Sequence, residues 1–387
     1  MLPPNLPLEI QTDFELADGS RTVKTVFSCF GGLPLDGYSV VAIADSILSS
    51  KPLDFFDPAR VIAHGSSLGP NRITTLVVRF PRLILSELNT HRVFSRNSAS
   101  SRARSIKVVV TDVMESPYVP LFTENQRGMS GPLVDAATQE RATVQWLAAR
   151  DSSVASVLSM LTGKNVPVDT LTDTWRELLD NYYQQVYLEK QAIPGSLNLH
   201  KQNVNRLLEP YMWHEAVITS TEWNNFLELR DHNDADPAIH ALAKLVRATL
   251  ETSRPITRVV HAPFASHIAD SDPIGLNEVS HGALFSGLQL ANYTAGAAAQ
   301  VSYRPVQDGG TGADPAKLAI RLLSVKHLSP FEHAAFSADW LYALGLRNPY
   351  GSNLSSEWVQ HRALLAQLQE LFGETDLEAI MARISGK

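Results

Sequence analysis

Arg72-Ile73-Thr74-Thr75-Leu76-Val77-Val78-Arg79-Phe80-Pro81 is the stretch on which the fold turns. Its β-branched run from Ile73 to Phe80 reads as a buried strand. Pro81 then stands where a helix takes a proline in its first turn. Residues 82–94 are expected to follow as a helix, with Leu85, Leu88 and Arg92 on one face and Glu87 one turn before His91. The segment Ser95 to Ser105 holds five serines and is expected to leave that helix as a structured loop.

Upstream, Val40 to Leu48 suits a strand or a short helix. Downstream, Gly128 to Gly131 breaks the chain and 133–164 reads as helix. Thr170 to Ile193 is an amphipathic helix with Trp175, Leu178, Leu179, Tyr182 and Val186 as its stripe. Ile193-Pro194-Gly195 stops it, and Ser196 opens another helix that runs to about Glu209, before Pro210. Ala216 to Thr221 reads as a strand, Glu222 to Asp231 as a short helix, and Ala238 to Thr252 as a helix with Ile239, Leu242, Val246 and Leu250 inward. A loop-rich stretch 253–285 precedes helices at 286–299 and 314–327, with a loop between them. A strand at Ala334 to Trp340 and a helix at 356–384, interrupted near Gly373, complete the chain. Helices with scattered strands, lacking a regular βαβ alternation, give an α+β class.

The 387 residues are 44% hydrophobic and 19% charged, as a chain with a sizeable core should be. The net charge of −7 argues against a general nucleic-acid or anionic-membrane binder. A single cysteine, Cys29, excludes an intramolecular disulfide framework and a Cys-cluster zinc site, and the histidines show no metal-type pairing. No apolar run approaches the roughly 18 residues of a membrane span. Met1 to Pro7 lacks a basic leader, so a soluble, cytoplasmic protein is expected. The positive charge is local: Leu88 to Val110 carries Arg92, Arg96, Arg102, Arg104 and Lys107 and no acid. That pattern suggests a defined anion site.

There is no Walker loop, dinucleotide fingerprint, HExxH or GxSxG string. Gly309-Gly310-Thr311-Gly312 lacks the Lys-Ser/Thr that would cradle phosphates and reads as a surface loop. Three strings carry possible chemistry. Thr90 to Arg102 (THRVFSRNSASSR) is either a solvated loop or a set of guanidinium and hydroxyl donors for one phosphomonoester. In Trp223 to Arg230 (WNNFLELR), Trp223, Phe226, Leu227 and Arg230 share a face. Arg230 there either pairs with an internal acid or awaits an anionic ligand. His327 to His333 (HLSPFEH) is either a capped turn or a compact polar site.

Together these strings resemble the flavin-dependent thymidylate synthases. The family pattern Arg-His-Arg-x-x-Ser-x-Asn-Glu-x-Ser-x-Arg is matched by His91, Arg92, Ser95, Asn97, Ser100 and Arg102, with Thr90 and Ser98 in place of its first arginine and its glutamate. Its Asn-Phe-Leu-x-Leu-Arg helix is matched by Asn225 to Arg230. An arginine four residues before a proline is matched by Arg206 and Pro210, and His-x-Ser-Pro-Phe-Glu-His by His327 to His333. Asp234, Thr219 and Thr221 stand where the family often has flavin-contacting residues. The His327 string follows the Thr90 string where the family has it first, a rearranged order. Together with Asn125 to Met129 (NQRGM) and Trp358 to Arg362 (WVQHR), this resembles a divergent, often phage-encoded branch.

The resemblance implies an α+β fold with a mixed sheet and flanking long helices. It implies an N-terminal extension at 1–70, a catalytic region at 71–345 and a C-terminal helical segment at 346–387. The implied activity is reductive methylation of dUMP to dTMP, with FAD, NADPH and methylenetetrahydrofolate. Arg92, Ser100, Arg102, Arg206 and Arg230 would bind dUMP, with Arg230 at the developing charge. Thr90, His91, Asn97, Asn225, Ser329 and Glu332 would hold FAD, and His327 would lie on the folate or nicotinamide side. A homo-oligomer, by family habit a tetramer, with no nucleic-acid, membrane or metal partner is implied. Two other outcomes fit the substitutions at Thr90 and Ser98: a pyrimidine deoxynucleotide hydroxymethylase, or a nucleotide-binding relative without flavin activity.

Overall fold

β4 (Arg72–Pro81) is a buried strand near the centre of a seven-stranded sheet ordered β1-β2-β3-β4-β6-β5, with β7 beside β3. The computed structural model describes residues 8–15, 21–27, 35–48, 72–127, 131–265, 279–302, 313–346 and 352–372. Cys29, Gly309 to Gly312 and the last residues of the expected C-terminal helix lie outside them. β1 (Leu8–Glu15), β2 (Arg21–Phe27) and β3 (Ser39–Ile47) extend the sheet on one side of β4; β6 (Trp213–Ser220) and β5 (Ser95–Ser98) extend it on the other. All these neighbours are antiparallel, and only β7 (Ile256–Thr257) runs parallel to β3. Val40 to Leu48 is therefore strand, not helix.

Alternation sends Leu76, Val78 and Phe80 of β4, with Ala216 and Ile218 of β6, to one face. There they meet Ile239, Leu242, Leu245 and Val246 of the helix Pro237–Thr252. Thr75 and Val77, with Val217 and Thr219, point to the other face. On that side lies a second unit built on the sheet β10-β9-β8, formed by Trp358–Gln360, Ala335–Ser337 and Val260–His261. Its core packs Phe331, Phe336 and Trp340 against Leu284, Leu288, Leu364 and Leu368. A third cluster joins the helices Ile106–Glu115, Ala136–Thr162 and Leu171–Tyr183 through Val109, Leu158 and Trp175. The class is α+β.

Several boundaries differ from the sequence reading. Residues 82–94 are not one helix: a 3-10 turn Arg82–Ile84 and a single turn Leu85–Leu88 are followed by tight turns. Thr90 ends the helix by giving both its N–H and its hydroxyl to the Glu87 carbonyl, at 3.0 and 2.7 Å. Pro81 sits in extended backbone just outside the first turn. Ser95 to Ser98, expected in a loop, pairs with β6 as an edge strand. The helix from 171 stops at Tyr183 and passes into a π-turn, Gln184–Leu188, where Tyr183 and Tyr187 stack. The helix expected from Ser196 begins only at Lys201 and ends at Arg206. The strand expected to reach Trp340 stops at Ser337, whose hydroxyl caps the next helix, Ala338–Ala343. Trp358 to Gln360, expected in the last helix, is strand, and the helix itself is His361–Phe372.

Candidate functional site

The edge strand β5 and its flanks bring the three strings together. On the N-terminal side, the tight turns after Leu88 place His91 against the aromatic face of the helix Asn224–Arg230. His91 stands edge-on to Phe226, with ring centres 5.1 Å apart, and Phe94 packs on Trp223 at 4.7 Å. Trp223, Phe226 and Leu227 are buried, as the shared face requires. Arg230, at the end of that face, lies in the field of Glu87, but among the described residues no carboxylate forms an ion pair with it. Its Nε donates to His91 Nε2 at 3.1 Å, and a terminal nitrogen donates to Thr90 Oγ1 at 3.4 Å. Burial first, then the charges of Arg230 and Arg96, holds the His91 pKa at about 4, so the ring is neutral and its Nε2 lone pair is free to accept. Burial also raises the carboxyl pKa of nearby Glu87.

Asp231, the next residue, fixes the end of this helix. Its carboxylate takes Arg247 and lies 3.3 Å from His240 and 3.7 Å from Lys244. Despite burial, these partners hold its pKa well below the usual carboxylate range. Arg230 is thus presented by an element locked to the helix Pro237–Thr252, while its own charge has no counter-charge bonded to it.

On the C-terminal side of β5, Ser100 to Arg104 forms a turn clamped by the helix Lys201–Arg206. Asn205 donates to the carbonyls of Ser101 and Arg104 at 2.7 and 3.1 Å, and Lys201 Nζ donates to that of Ala103 at 3.0 Å. Ser100 Oγ accepts from the Arg102 N–H, a local turn bond. Arg92, Arg102 and Arg206 are exposed and form no ion pair among the described residues. Arg104 pairs with Asp112, and Arg82 lies between Glu209 and buried His214. No hydrogen bond among the described residues joins this turn to the Arg230 cluster.

The third string lies across β5. The 3-10 turn Ser329–Glu332 carries Glu332, which pairs with Arg362 and lies in the field of Arg96. Gln360, buried, donates to Ser95 Oγ at 2.8 Å, to Asn353 Oδ1 at 2.5 Å and to the Glu332 carbonyl at 3.4 Å. His327 and Asn225 are exposed, Ser329 is half-buried and Asn97 is buried on β5. Thr219 is buried in the sheet, and Thr221 Oγ1 accepts from the Ser355 N–H at 2.8 Å. The structure therefore unites Thr90, His91 and Arg230. It sets Ser100 beside the helix that bears Arg206, and leaves His327 and Asn225 exposed. Sequence reasoning counted Arg96 only among the local cations and passed over Asn353, Gln360 and Arg362; only WVQHR, noted as a string, hinted at the last two. A cavity of about 520 Å³ lies on the other side of the Arg230 helix, lined by Arg72, Asn224, Glu228, Arg247 and Arg254, and holds none of the expected site residues.

Among the described residues no three His, Cys, Asp or Glu side chains gather as a metal site, and no helix is long and apolar enough to cross a membrane. No protein-family model matches the chain, and no curated protein matches it. Among solved structures, the chain is similar to a UMP/dUMP methylase, PolB from Streptomyces cacaoi bound with 5-Br UMP. The identity is 13%, the match covers 56% of this chain and 92% of that one, and the TM-score is 0.35. A likeness of that degree assigns neither fold nor activity.

Proposed function

We propose that the chain is a pyrimidine-nucleotide-modifying enzyme that meets its anionic substrate at Arg230. The observation that carries this reading is the state of Arg230: a half-buried guanidinium held by a neutral imidazole and a hydroxyl, with no carboxylate bonded to it. A charge so placed is costly unless a ligand completes it. The aromatic wall of Phe94, Trp223 and Phe226 lowers the local dielectric and strengthens the attraction for that ligand. Exposed Arg92 adds a donor next to His91 in the chain, and Arg102 and Arg206 offer a second group of cations beyond β5.

The finer reading is reductive methylation of dUMP to dTMP with methylenetetrahydrofolate and NADPH, supported by the four motif strings. Flavin, when bound in such enzymes, supplies the hydride and one-carbon transfer. Of the residues expected to hold FAD, His91 and Asn97 are buried, Glu332 is engaged by Arg362, and Asn225 is exposed. The finer reading includes a homo-oligomer, a tetramer by the resemblance. The test is to incubate the protein with dUMP, FAD, NADPH and methylenetetrahydrofolate and weigh the nucleotide. A product heavier by one methylene unit supports it. Unchanged dUMP together with a protein that takes up no flavin overturns it.

A further inference from the structure

Five buried polar groups run in a line across the two sheets. Ser46 Oγ on β3 lies 2.9 Å from His261 Nδ1 on β8, and His261 Nε2 lies 2.9 Å from Thr75 Oγ1 on β4. Thr75 Oγ1 lies 2.7 Å from Thr219 Oγ1 on β6, which lies 2.8 Å from His333 Nδ1 at the end of the Ser329–Glu332 turn. Both threonines and both histidines are fully buried, and His333 Nε2 has no partner among the described residues. These bonds, with the Ile73, Ala335, Leu354 and Trp358 cluster, are where the second unit grips the large sheet.

We propose that Ser46, His261, Thr75, Thr219 and His333 act as one hydrogen-bond relay in which the two histidines share a single tautomer, and that this relay positions the turn bearing Ser329 and Glu332. The coupling follows from proton counting. One hydroxyl of the Thr75–Thr219 pair must donate to the other. If Thr219 donates to Thr75, its proton is spent, so His333 must donate from Nδ1. Thr75 must then donate to His261 Nε2, which leaves His261 with its proton on Nδ1. If Thr75 donates instead, every bond reverses, and both rings carry their proton on Nε2. One ring of each kind would leave either one hydroxyl proton without an acceptor or one contact without a proton in this dry line. Both rings are neutral, because burial lowers each pKa to about 3. The charged group facing them is Arg258, whose field adds to the lowering at His261, and among the described residues the only other titratable groups acting there are the two rings themselves; Asp45, beside Ser46, is taken by Arg72. His333 and His261 are positioning residues: they act through the turn and touch no substrate.

The claim that the turn serves the nucleotide site rests on the functional reading above; the relay itself does not. The full chain, labelled with nitrogen-15 in histidine, reports each ring's tautomer by long-range proton–nitrogen correlation. His333→Asn and Thr219→Ser, which keep a hydrogen-bonding group in place, serve for assignment. Matching tautomers in the wild type support the relay, and opposite tautomers overturn it. Hydrogen exchange at Phe331 and Ser337 gives the second readout, since both amides are bonded in the turn and its exit. His333→Leu should speed it at least tenfold, and His333→Asn, whose amide can replace either role of Nδ1, should restore it. Equal exchange in the two variants overturns the positioning role. Should His333→Leu abolish folding, the Thr219→Val and Thr219→Ser pair decides in the same way. If the tautomers match but the wild type binds no dUMP, the relay stands and the nucleotide reading falls.

Discussion

Arg230 donates from Nε to His91 Nε2 at 3.1 Å and from a terminal nitrogen to Thr90 Oγ1 at 3.4 Å. The repeat of Trp223, Phe226 and Leu227 placed it at the edge of an apolar stripe. Whether an acid would meet it depended on chain 139 residues away in sequence, where His91 accepts instead. Arg230→Lys keeps the charge but loses the Nε donor, so it should weaken dUMP binding as Arg230→Ala does, though less, when measured by calorimetry. At a second residue the logic is reversed. Arg72 is buried and bound twice by Asp45, through Nε at 2.8 Å and a terminal nitrogen at 2.6 Å, and it also donates to the Leu250 carbonyl at 2.9 Å. Asp45→Ala would strand that charge, and urea unfolding should show a loss of about 3–5 kcal/mol. A loss under about 1 kcal/mol would mean that water reaches Arg72.

At the scale of elements, the strands with continuous β-branched runs were legible and the edge strand was not. β4 identifies itself, because Ile73 to Val78 suits little else. β5 is Ser-Arg-Asn-Ser, a string with turn composition, and becomes a strand only because β6 offers its edge. The same holds for Trp358 to Gln360, which becomes a strand only because β9, just past the His327 to His333 string, offers its own edge. Helix packing yields a sharper test. Gly296, in the helix His281–Ala299, lies so close to the helix Pro315–Ser324 that a methyl group there would overlap the Pro315 carbonyl. Backbone cannot swing aside as a side chain does. Gly296→Ala should therefore cost about 1–3 kcal/mol despite alanine's better helix propensity, read as a lower unfolding midpoint with unchanged m-value.

At the scale of the molecule, five of the described histidines are buried neutral with a lowered pKa, chiefly by burial: His214, His261, His333 and His361, each brought to about 3, and His91, brought to about 4. Unfolding exposes them, and each then takes up a proton at any pH between its folded value and the ordinary value of about 6.5. Stability is complete above that upper limit and falls as pH drops through the window, by about 1.4 kcal/mol per pH unit for each ring. Urea midpoints at pH 7.5, 6.5 and 5.5 should fall ever more steeply, and a flat profile would show that these rings are hydrated. Composition showed twelve histidines but not which would lie between sheets, since burial is decided by pairings the chain makes with itself at long range. The central claim is that Arg230 meets a pyrimidine nucleotide, and thermal unfolding with and without dUMP tests it most directly. At a hundredfold excess over its dissociation constant, dUMP should stabilise the wild type by about 2.7 kcal/mol. It should leave Arg230→Ala unshifted, with that variant alone melting no lower than the wild type, since it removes a charge that no carboxylate pairs. No shift in the wild type, or an equal shift in both proteins, would contradict the account.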